Sequence, residues 1–589
     1  MPPPPVPTTA RSPSFARRWA EYHRTALTDD LLAAVIVTIL LVPQSLAYAI
    51  LAGLPPVVGV MASLLPALAY AAFGSSTTLA VGPVAVIAMM TAQSIGGVAI
   101  DHGITPHLAA LVLSLEIAAI CLIAALLRLE TLAALLGAPV LHGFVTGASL
   151  LIALGQFPAL LGIPVNGSTA IELGSALAAS DRVLPHFATA AIGLPALLAL
   201  WSLRRNGSRM LQRLGLEPRT AQLLARAAPI LIVAAAIAWI VSFPGLNQGV
   251  ALSGRISLGD GLVFPWIWEA PLAAWFDLLA PATVLALVAY VESLAVAEAL
   301  AARRGEKISP RRELFGLAAA NAAATASGGM PVTGGFSRSI VNFDANARTR
   351  MAGVWTAILL ALAIVLIGDM LQYLPRAVLA ATIIIAVLSM IDLAPFLLAW
   401  RYSRTEFTLM VVVTALTLFV GIEEALLIGV ISSIGLLLQR TARPHWTEVG
   451  RLAGTTIFRN VNRFEVETLP QVLSIRVDES LLFTNSRWIS ETLTSALRQR
   501  PQLRHVVLMM SGVNGIDLTG LEVLMQLDRE LRAKGIQLHL SELKGPLRDA
   551  LDRTEASDWL SGQIFMTQDA AFNTLAAEIA QQGADKNKS

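Results

Sequence analysis

Ser337-Arg338 follows Gly334-Gly335-Phe336, and between Leu314 and Phe343 this arginine is the only charged residue. A second small cluster, Gly82-Pro83, lies in an equally apolar stretch upstream. A glycine-rich break followed by a helix start presents unpaired N–H groups and about half a positive charge. With a serine hydroxyl and a permanent cation added, that is chemistry for holding an anion without a metal. Glu292, in Ala289-Tyr290-Val291-Glu292-Ser293-Leu294, is the complementary group. A carboxylate so deep in apolar sequence is expensive, and its default reading is functional, as a proton carrier or a cation ligand. Other readings stay open: Arg338 as a topogenic charge, Glu292 as its static ion-pair partner, Gly82 and Pro83 as close-packing residues. Arg338 lies about two to three helical turns before Arg348 and Arg350, which favours the functional reading. Glu298, nearer the basic loop, reads as a helix-end residue. No nucleophile, base and orienter fall together, and the eight histidines are scattered without ligand spacing. An enzyme is not expected, and neither a metal nor a cofactor is called for.

The elements that must position these residues follow from composition. The 589 residues are 55% hydrophobic and 14% charged, with a mean hydropathy of +0.66, against about 25% charged in ordinary soluble domains. Most of the chain therefore belongs in lipid. Aromatics are only 6%, so the apolar mass is aliphatic and alanine-rich, which suits closely packed membrane helices better than a β-barrel. A net charge of +2 without an aromatic-basic stripe argues against nucleic acid. The single cysteine, Cys121, lies in an apolar run and reads as a buried thiol. The Pro-rich start with Arg17, Arg18, His23 and Arg24 is expected to be a retained cytoplasmic leader, residues 1–28, because the following apolar run is long enough to span and has no small-residue cleavage site.

Apolar runs of spanning length begin near Leu31, Val57, Leu79, Leu108, Val140, Phe187, Ala227, Leu272, Leu314, Pro331, Ala352, Leu374, Phe407 and Ala425, about fourteen in all. Basic residues cluster after every second span, at Arg204, Arg205, Arg209 and Arg213, at Arg303 through Arg312, at Arg348 and Arg350, at Arg401 and Arg404, and at Arg440 and Arg443. Cytoplasmic loops are enriched in such residues, so both chain ends are expected in the cytoplasm. Pro43 in the first span, Gly82-Pro83 in the third and Ser327-Gly328-Gly329-Met330-Pro331 in the tenth are helix breakers at membrane depth. Breakers there are tolerable only where protein or a cavity satisfies the freed backbone. Two broken spans seven apart are the signature of an inverted repeat with a site at the midplane.

The stretch from Pro43-Gln44-Ser45-Leu46-Ala47-Tyr48-Ala49 to Pro55-Pro56, the stretch from Phe73-Gly74-Ser75-Ser76 through Gly82-Pro83-Val84, and Gly335-Phe336-Ser337-Arg338-Ser339 resemble the sulfate permease (SulP) family. With the soluble domain described next, the resemblance covers residues 29 to about 580. It implies a helical polytopic membrane protein with a seven-plus-seven inverted repeat, a core domain of spans one to four and eight to eleven moving against a gate domain, and a homodimer. It places the anion between the helix starts of spans three and ten, with Gln44, Tyr48, Val81, Gly82, Pro83, Val84, Phe336, Ser337 and Arg338 as substrate-binding residues and Glu292 as the coupling-ion, proton-carrying residue. Sodium-coupled bicarbonate members have an Asp at the position of Glu292 and a Thr one turn later; Val296 in this chain departs from that pattern. Thr77-Thr78 stands where relatives often carry a basic residue.

Near Pro444 charge density rises and strands alternate with amphipathic helices, so a second, soluble domain is expected. Strands are expected at 472–477, 506–510 and 536–540, and helices at 486–497, 519–533 and 569–579. Alternation of this kind implies a mostly parallel sheet covered by helices. Ser511-Gly512-Val513-Asn514-Gly515-Ile516-Asp517-Leu518-Thr519 resembles the strand-loop-helix of STAS domains. Asp517 is a candidate helix cap. Thr519 matches the residue phosphorylated in bacterial relatives, or is itself a capping hydroxyl. Met509 stands where many relatives are acidic. The expected boundaries are a transmembrane domain at 29–442, a linker at 443–465, a STAS domain at 466–582 and a tail at 583–589.

The resulting expectation is a secondary transporter in the cell (inner) membrane that moves sulfate or a related oxyanion with protons as coupling ion, with lipid around it and a cytoplasmic partner for the STAS domain. Bicarbonate and C4-dicarboxylates are the alternatives within the family. An anion exchanger or a channel-like or voltage-sensing protein is a second class, and a nucleobase permease sharing the inverted-repeat fold a third; a neutral base has no need of the Ser337-Arg338 cation.

Overall fold

The computed structural model describes residues 26–130, 137–165, 167–180, 184–213, 215, 217–254, 267–498 and 500–586. Most of the expected leader lies outside the described residues. The chain divides into two compact units, Met1–Ser433 and Ile434–Ser589.

In the first unit the apolar runs become helices α1 (Leu27–Leu51), α2 (Pro56–Phe73), α3 (Ala85–Asp101), α4 (Pro106–Leu126), α5 (Ala138–Leu161), the short α6 (Ala170–Ala179), α7 (Phe187–Arg213) and α8 (Pro218–Ser242). The second half repeats the pattern with α9 (Leu272–Arg304), α10 (Pro310–Ala326), α11 (Phe336–Asp344), α12 (Met351–Leu371), α13 (Arg376–Leu388), the short α14 (Ala394–Tyr402), α15 (Arg404–Phe419) and α16 (Ile422–Ala442). Each expected span start falls inside a helix or a few residues before one. Among the described residues, eight helices are long and apolar enough to cross a membrane. Prolines at the first helical turn, where a missing N–H costs nothing, start α2, α4, α5, α8, α10 and α14. Pro43 does not break the first span: α1 runs through it as a continuous helix of 25 residues.

The third and tenth runs are broken, each by a two-residue strand ahead of its helix: β1 (Val81–Gly82) before α3 and β2 (Thr333–Gly334) before α11. The strands pair antiparallel, Val81 opposite Gly334 and Gly82 opposite Thr333, as a two-fold relation between the halves requires. Helix packing shows the same exchange. α1 lies against α12 as α9 lies against α4, and α11 against α1 as α3 against α9. A second group, α5 with α13 and α15, and α7 with α8 and α13, packs together, which matches the expected division into core and gate. Close approach rests on small residues: a Cβ on Gly59 of α2 would sit 1.9 Å from the Ser45 carbonyl of α1. One apolar core runs through this unit, with Leu46, Met90, Leu113 and Leu317 essentially inaccessible.

The second unit is an α/β domain. Its sheet has the order β4-β3-β5-β6-β7-β8, from β3 (Trp446–Arg451), β4 (Phe458–Asn460), β5 (Val472–Val477), β6 (His505–Met509), β7 (Gln537–Ser541) and β8 (Ile564–Phe565). β5 to β8 pair in parallel, and β3 pairs antiparallel with both β4 and β5. Residues 443–465, expected as a linker, therefore carry two strands of the sheet. Their sequence is charged and edge-like rather than apolar, so it carries no strand signal of its own. Alternate strand residues feed two cores, as expected for a sheet covered on both faces. Leu473, Ile475, Val506 and Leu508 join Leu493 of α17 (Ser486–Arg498) and Leu524 and Leu527 of α18 (Leu518–Ala533) on one face. Val472, Val507 and Phe565 meet Ala571 and Leu575 of α21 (Gln568–Lys586) on the other. Two short helices, α19 (Gly545–Asp552) and α20 (Ala556–Trp559), complete the domain.

Candidate functional site

A broken helix at membrane depth leaves backbone N–H and C=O groups that water cannot satisfy, at several kcal/mol each. The two strands satisfy part of this mutually, and Gly335 N donates to Ala80 O at 3.1 Å. Side chains take the remainder. Asn321 of α10 clamps Val332, accepting from its N–H and donating to its C=O, both at 3.0 Å. Gly334 N donates to Ser293 Oγ at 2.8 Å, and Thr333 Oγ1 donates to Ala289 O at 2.7 Å. Ala80 N donates to Ser339 Oγ at 2.9 Å. Ser293, Ser339 and Asn321 are fully buried.

This scaffold aims two helix N-termini at one place. α3 starts at Ala85 behind Val84, and α11 starts at Phe336 behind Gly335, neither with a side-chain cap. The first N–H groups of both helices are thus unspent within the helices. A small cavity of about 20 Å³ lies there, lined by Gln44 and Tyr48 of α1, Pro83, Val84 and Ala85, Glu292 of α9, Gly335 through Arg338, and Ala386 and Met390 of the second helix group. Gln44, Tyr48, Pro83, Val84, Glu292, Phe336, Ser337 and Arg338 are thereby brought together. Gly82 and Val81 line up behind them in β1. The absence of a side chain at 82 leaves room for the guanidinium, because a Cβ there would lie 2.6 Å from Arg338 Nη1. Val81 lines a different cavity on the other side of the strand pair.

Arg338 is 3% exposed, and its Nη2 donates to Pro83 O at 2.8 Å. Its guanidinium thus ties the start of α11 to the break before α3. Glu292 is 8% exposed, and its Oε1 has no hydrogen-bond partner among the described residues. The close ion pair between Glu292 and Arg338 is not formed: among the described residues Glu292 Oε1 accepts no hydrogen bond and the guanidinium donates to Pro83 O, although the two residues face one cavity. Charges of opposite sign with space between them can admit an anion beside the cation and a proton on the acid. Gln44, Phe336, Ser337, Ala386 and Met390 also line a cleft of about 690 Å³. The cleft is also lined by Arg204, Arg205 and Arg209 of α7, so a basic vestibule adjoins the small cavity and shares these five residues with it.

In the sequence nothing distinguishes Ala386 of α13, or Met390 just beyond its end, from other apolar residues. Asn321 does carry a signal in the sequence, a lone amide in an alanine-rich span. In the second unit, Asp517 caps α18, its Oδ1 accepting from Gly520 N at 2.7 Å and its Oδ2 from Phe483 N at 2.7 Å. Thr519 is exposed on the first turn and is not the cap. No group of three or more histidine, cysteine or acidic residues is arranged to hold a metal among the described residues.

Comparison with known proteins bears on this arrangement. Residues 27–413 match the sulfate permease family and residues 463–571 the STAS domain. The chain is 32% identical over 542 residues to sulfate transporter 4.1, chloroplastic, of Arabidopsis thaliana, covering 89% of this chain and 76% of that one. It is 31% identical over 562 residues to a probable sulfate transporter of Mycobacterium tuberculosis, covering 95% and 97%. The solved structure of the murine Slc26a9 anion transporter in the inward-facing state superposes with a TM-score of 0.83 at 19% identity, covering 96% of each chain. The transmembrane domain of a cyanobacterial bicarbonate transporter superposes with a TM-score of 0.58 at 17% identity, over 69% of this chain and 97% of that one. These structural likenesses establish the fold, and the sequence matches establish the family: this chain is a multi-pass membrane protein of the sulfate permease family, with a C-terminal STAS domain.

Proposed function

We propose that this protein is a secondary active transporter of inorganic oxyanions, with sulfate as substrate and the proton as coupling ion, working by alternating access. The observation that carries the reading is the cavity where two uncapped helix starts, Arg338 and Glu292 converge. Sequence relatives named as sulfate transporters support the choice of anion. Two helix N-termini supply roughly one positive charge together, Arg338 adds one, and ionised Glu292 subtracts one. A net charge of about +1 suits a monovalent anion. A proton on Glu292 raises it to about +2, matched to a dianion, and removes a repulsion that is strong at low dielectric. A proton therefore accompanies each dianion inward. Val296, one turn after Glu292, offers no hydroxyl for sodium.

The wide cleft with Arg204, Arg205 and Arg209 corresponds in this reading to an inward-facing state, the arginines marking the cytoplasmic side. Both termini and the STAS domain are cytoplasmic, the membrane is the cell (inner) membrane, and the working unit is a homodimer whose STAS domain meets a cytoplasmic partner. Uptake of radiolabelled sulfate, bicarbonate and succinate into proteoliposomes at two pH values tests the substrate and the coupling together. Sulfate uptake should saturate and accelerate with an inward proton gradient. Glu292→Gln, a fixed mimic of the protonated acid, should retain sulfate exchange while losing that acceleration. Sodium-dependent wild-type uptake, or a variant still driven by the proton gradient, refutes the coupling. Preference for bicarbonate or succinate refutes the substrate.

A further inference from the structure

Arg338 faces two cavities. One is the candidate anion site. The other, also of about 20 Å³, lies behind the β1–β2 pair and is lined by Arg338, Asn342, Thr77, Arg350, Ser63 and Thr356 among others. The polar groups around it are mostly engaged. Ser63 Oγ donates to Gly59 O, Thr356 Oγ1 to Ala352 O, Thr77 Oγ1 to Glu306, and Arg350 Nη1 to Gly74 O. Asn342 is the exception. It is 2% exposed, and its Nδ2 donates to Thr78 O at 3.3 Å, while its Oδ1 has no partner among the described residues. A guanidinium has five N–H donors, and one bond, to Pro83 O, is made by that of Arg338 among the described residues. Asn342 follows Arg338 by four residues on α11, so the two side chains leave the same helix face.

A buried amide oxygen without a partner costs about 1–3 kcal/mol. A polar cavity needs about 10–15 Å³ to hold a water that would meet this cost. We propose that Asn342 is a positioning residue for Arg338: its Oδ1 holds one water in the rear cavity, and that water accepts from the guanidinium and fixes it against the anion position. The bond to Pro83 O fixes one corner of the fork, and the water fixes another. Two fixed corners orient a plane, whereas a single bond leaves it free to swing. The inference rests on the proposed role of Arg338 at the anion site.

The test is sulfate binding to the purified full-length protein by titration calorimetry. Asn342→Thr and Asn342→Val are isosteres of each other that both lose the amide donor to Thr78 O and differ in one hydroxyl, whose oxygen can accept from the water. Asn342→Thr should bind sulfate within about threefold of wild type, and Asn342→Val about tenfold more weakly. In an Arg338→Lys background, which removes the fork, the difference between the two should vanish, as a double-mutant cycle requires of coupled residues. Should Asn342→Val fail to fold, Asn342→Ala, which also lacks the acceptor oxygen, supplies the reading and should bind sulfate about tenfold more weakly than Asn342→Thr. Equal affinities for Thr and Val, or for Thr and Ala, or a difference that persists in the Arg338→Lys background, overturns the proposal. Arg338→Ala separates the two levels: sulfate binding unchanged there would remove the anion-site reading itself, whereas binding lost there with Thr and Val alike removes only the role of Asn342.

Discussion

At the scale of single residues, the site depends on a glycine and an arginine that exclude any larger neighbour. Gly82 does not adopt a left-handed backbone; its side is occupied by the Arg338 guanidinium. Gly82→Ala is therefore expected to leave the fold intact, because the far end of a flexible side chain can give way, and to push the guanidinium off the anion position. The expected loss is about tenfold in sulfate affinity, or about 1.4 kcal/mol, measured by calorimetry with an unchanged melting temperature. In an Arg338→Ala background the same substitution should cost nothing further. A large loss persisting there would mean that Gly82 shapes the site through its backbone instead.

At the scale of elements, two short strands and two helix starts are held in place by side chains whose only work is to satisfy a broken backbone. Asn321 is the clearest, with both of its amide groups bonded to Val332. Asn321→Leu, similar in volume, leaves a buried N–H and a buried C=O unpaired, at about 1–3 kcal/mol each. A melting temperature several degrees lower and a reduced folded yield are expected, in contrast to Gly82→Ala. The parallel sheet of the STAS domain holds a second buried polar feature. His505 of β6 and His539 of β7 meet at 3.1 Å, and His539 Nδ1 accepts from Gln563 N at 3.0 Å. Burial, with the neighbouring His505 adding to it, pushes His539 down to about 4; burial also lowers His505, against the attraction of Glu578. The unfolded chain titrates near 6.5, so between the two values it binds the proton that the folded domain refuses. Stability is then fully present above about pH 6.5 and falls as pH drops toward 4, by on the order of 3 kcal/mol at the limit. Hydrogen exchange in β6 and β7 of the full-length protein, corrected for intrinsic rates, should show protection falling across that window. Constant protection from pH 7 to 4.5 would contradict it.

At the scale of the whole molecule, every residue lining the candidate site and its vestibule lies before position 391, and the STAS sheet begins at Trp446. Removing residues 443–589 should therefore alter yield or turnover and leave the order of preference among sulfate, bicarbonate and succinate unchanged. Competition profiles of the full-length and shortened proteins check this. A reordered preference would show that the soluble domain shapes the site.

The sequence by itself determined the membrane class, the positions of the helices, the α/β character of the second domain and the residue types at the site. It could do so because each leaves a local mark: long apolar runs, glycine-proline breaks, a lone arginine and a lone glutamate where charge is costly. Only the tertiary structure decided what those marks do to one another. Pro43 is absorbed into an unbroken α1, since a single missing N–H is tolerable where neighbouring helices pack closely. Residues 446–460 join the sheet as β3 and β4, because pairing with β5 supplies what their polar sequence does not advertise. Ala386, Met390 and Asn342 acquire their places through contacts with residues far away in the chain, as Asn342 does with Thr78, and Asn321 through a fold-back onto Val332. Likewise, Glu292 and Arg338 prove to share a cavity without pairing. Separation along the chain carries no information about approach in space, and a cavity is defined by what several elements leave unfilled between them.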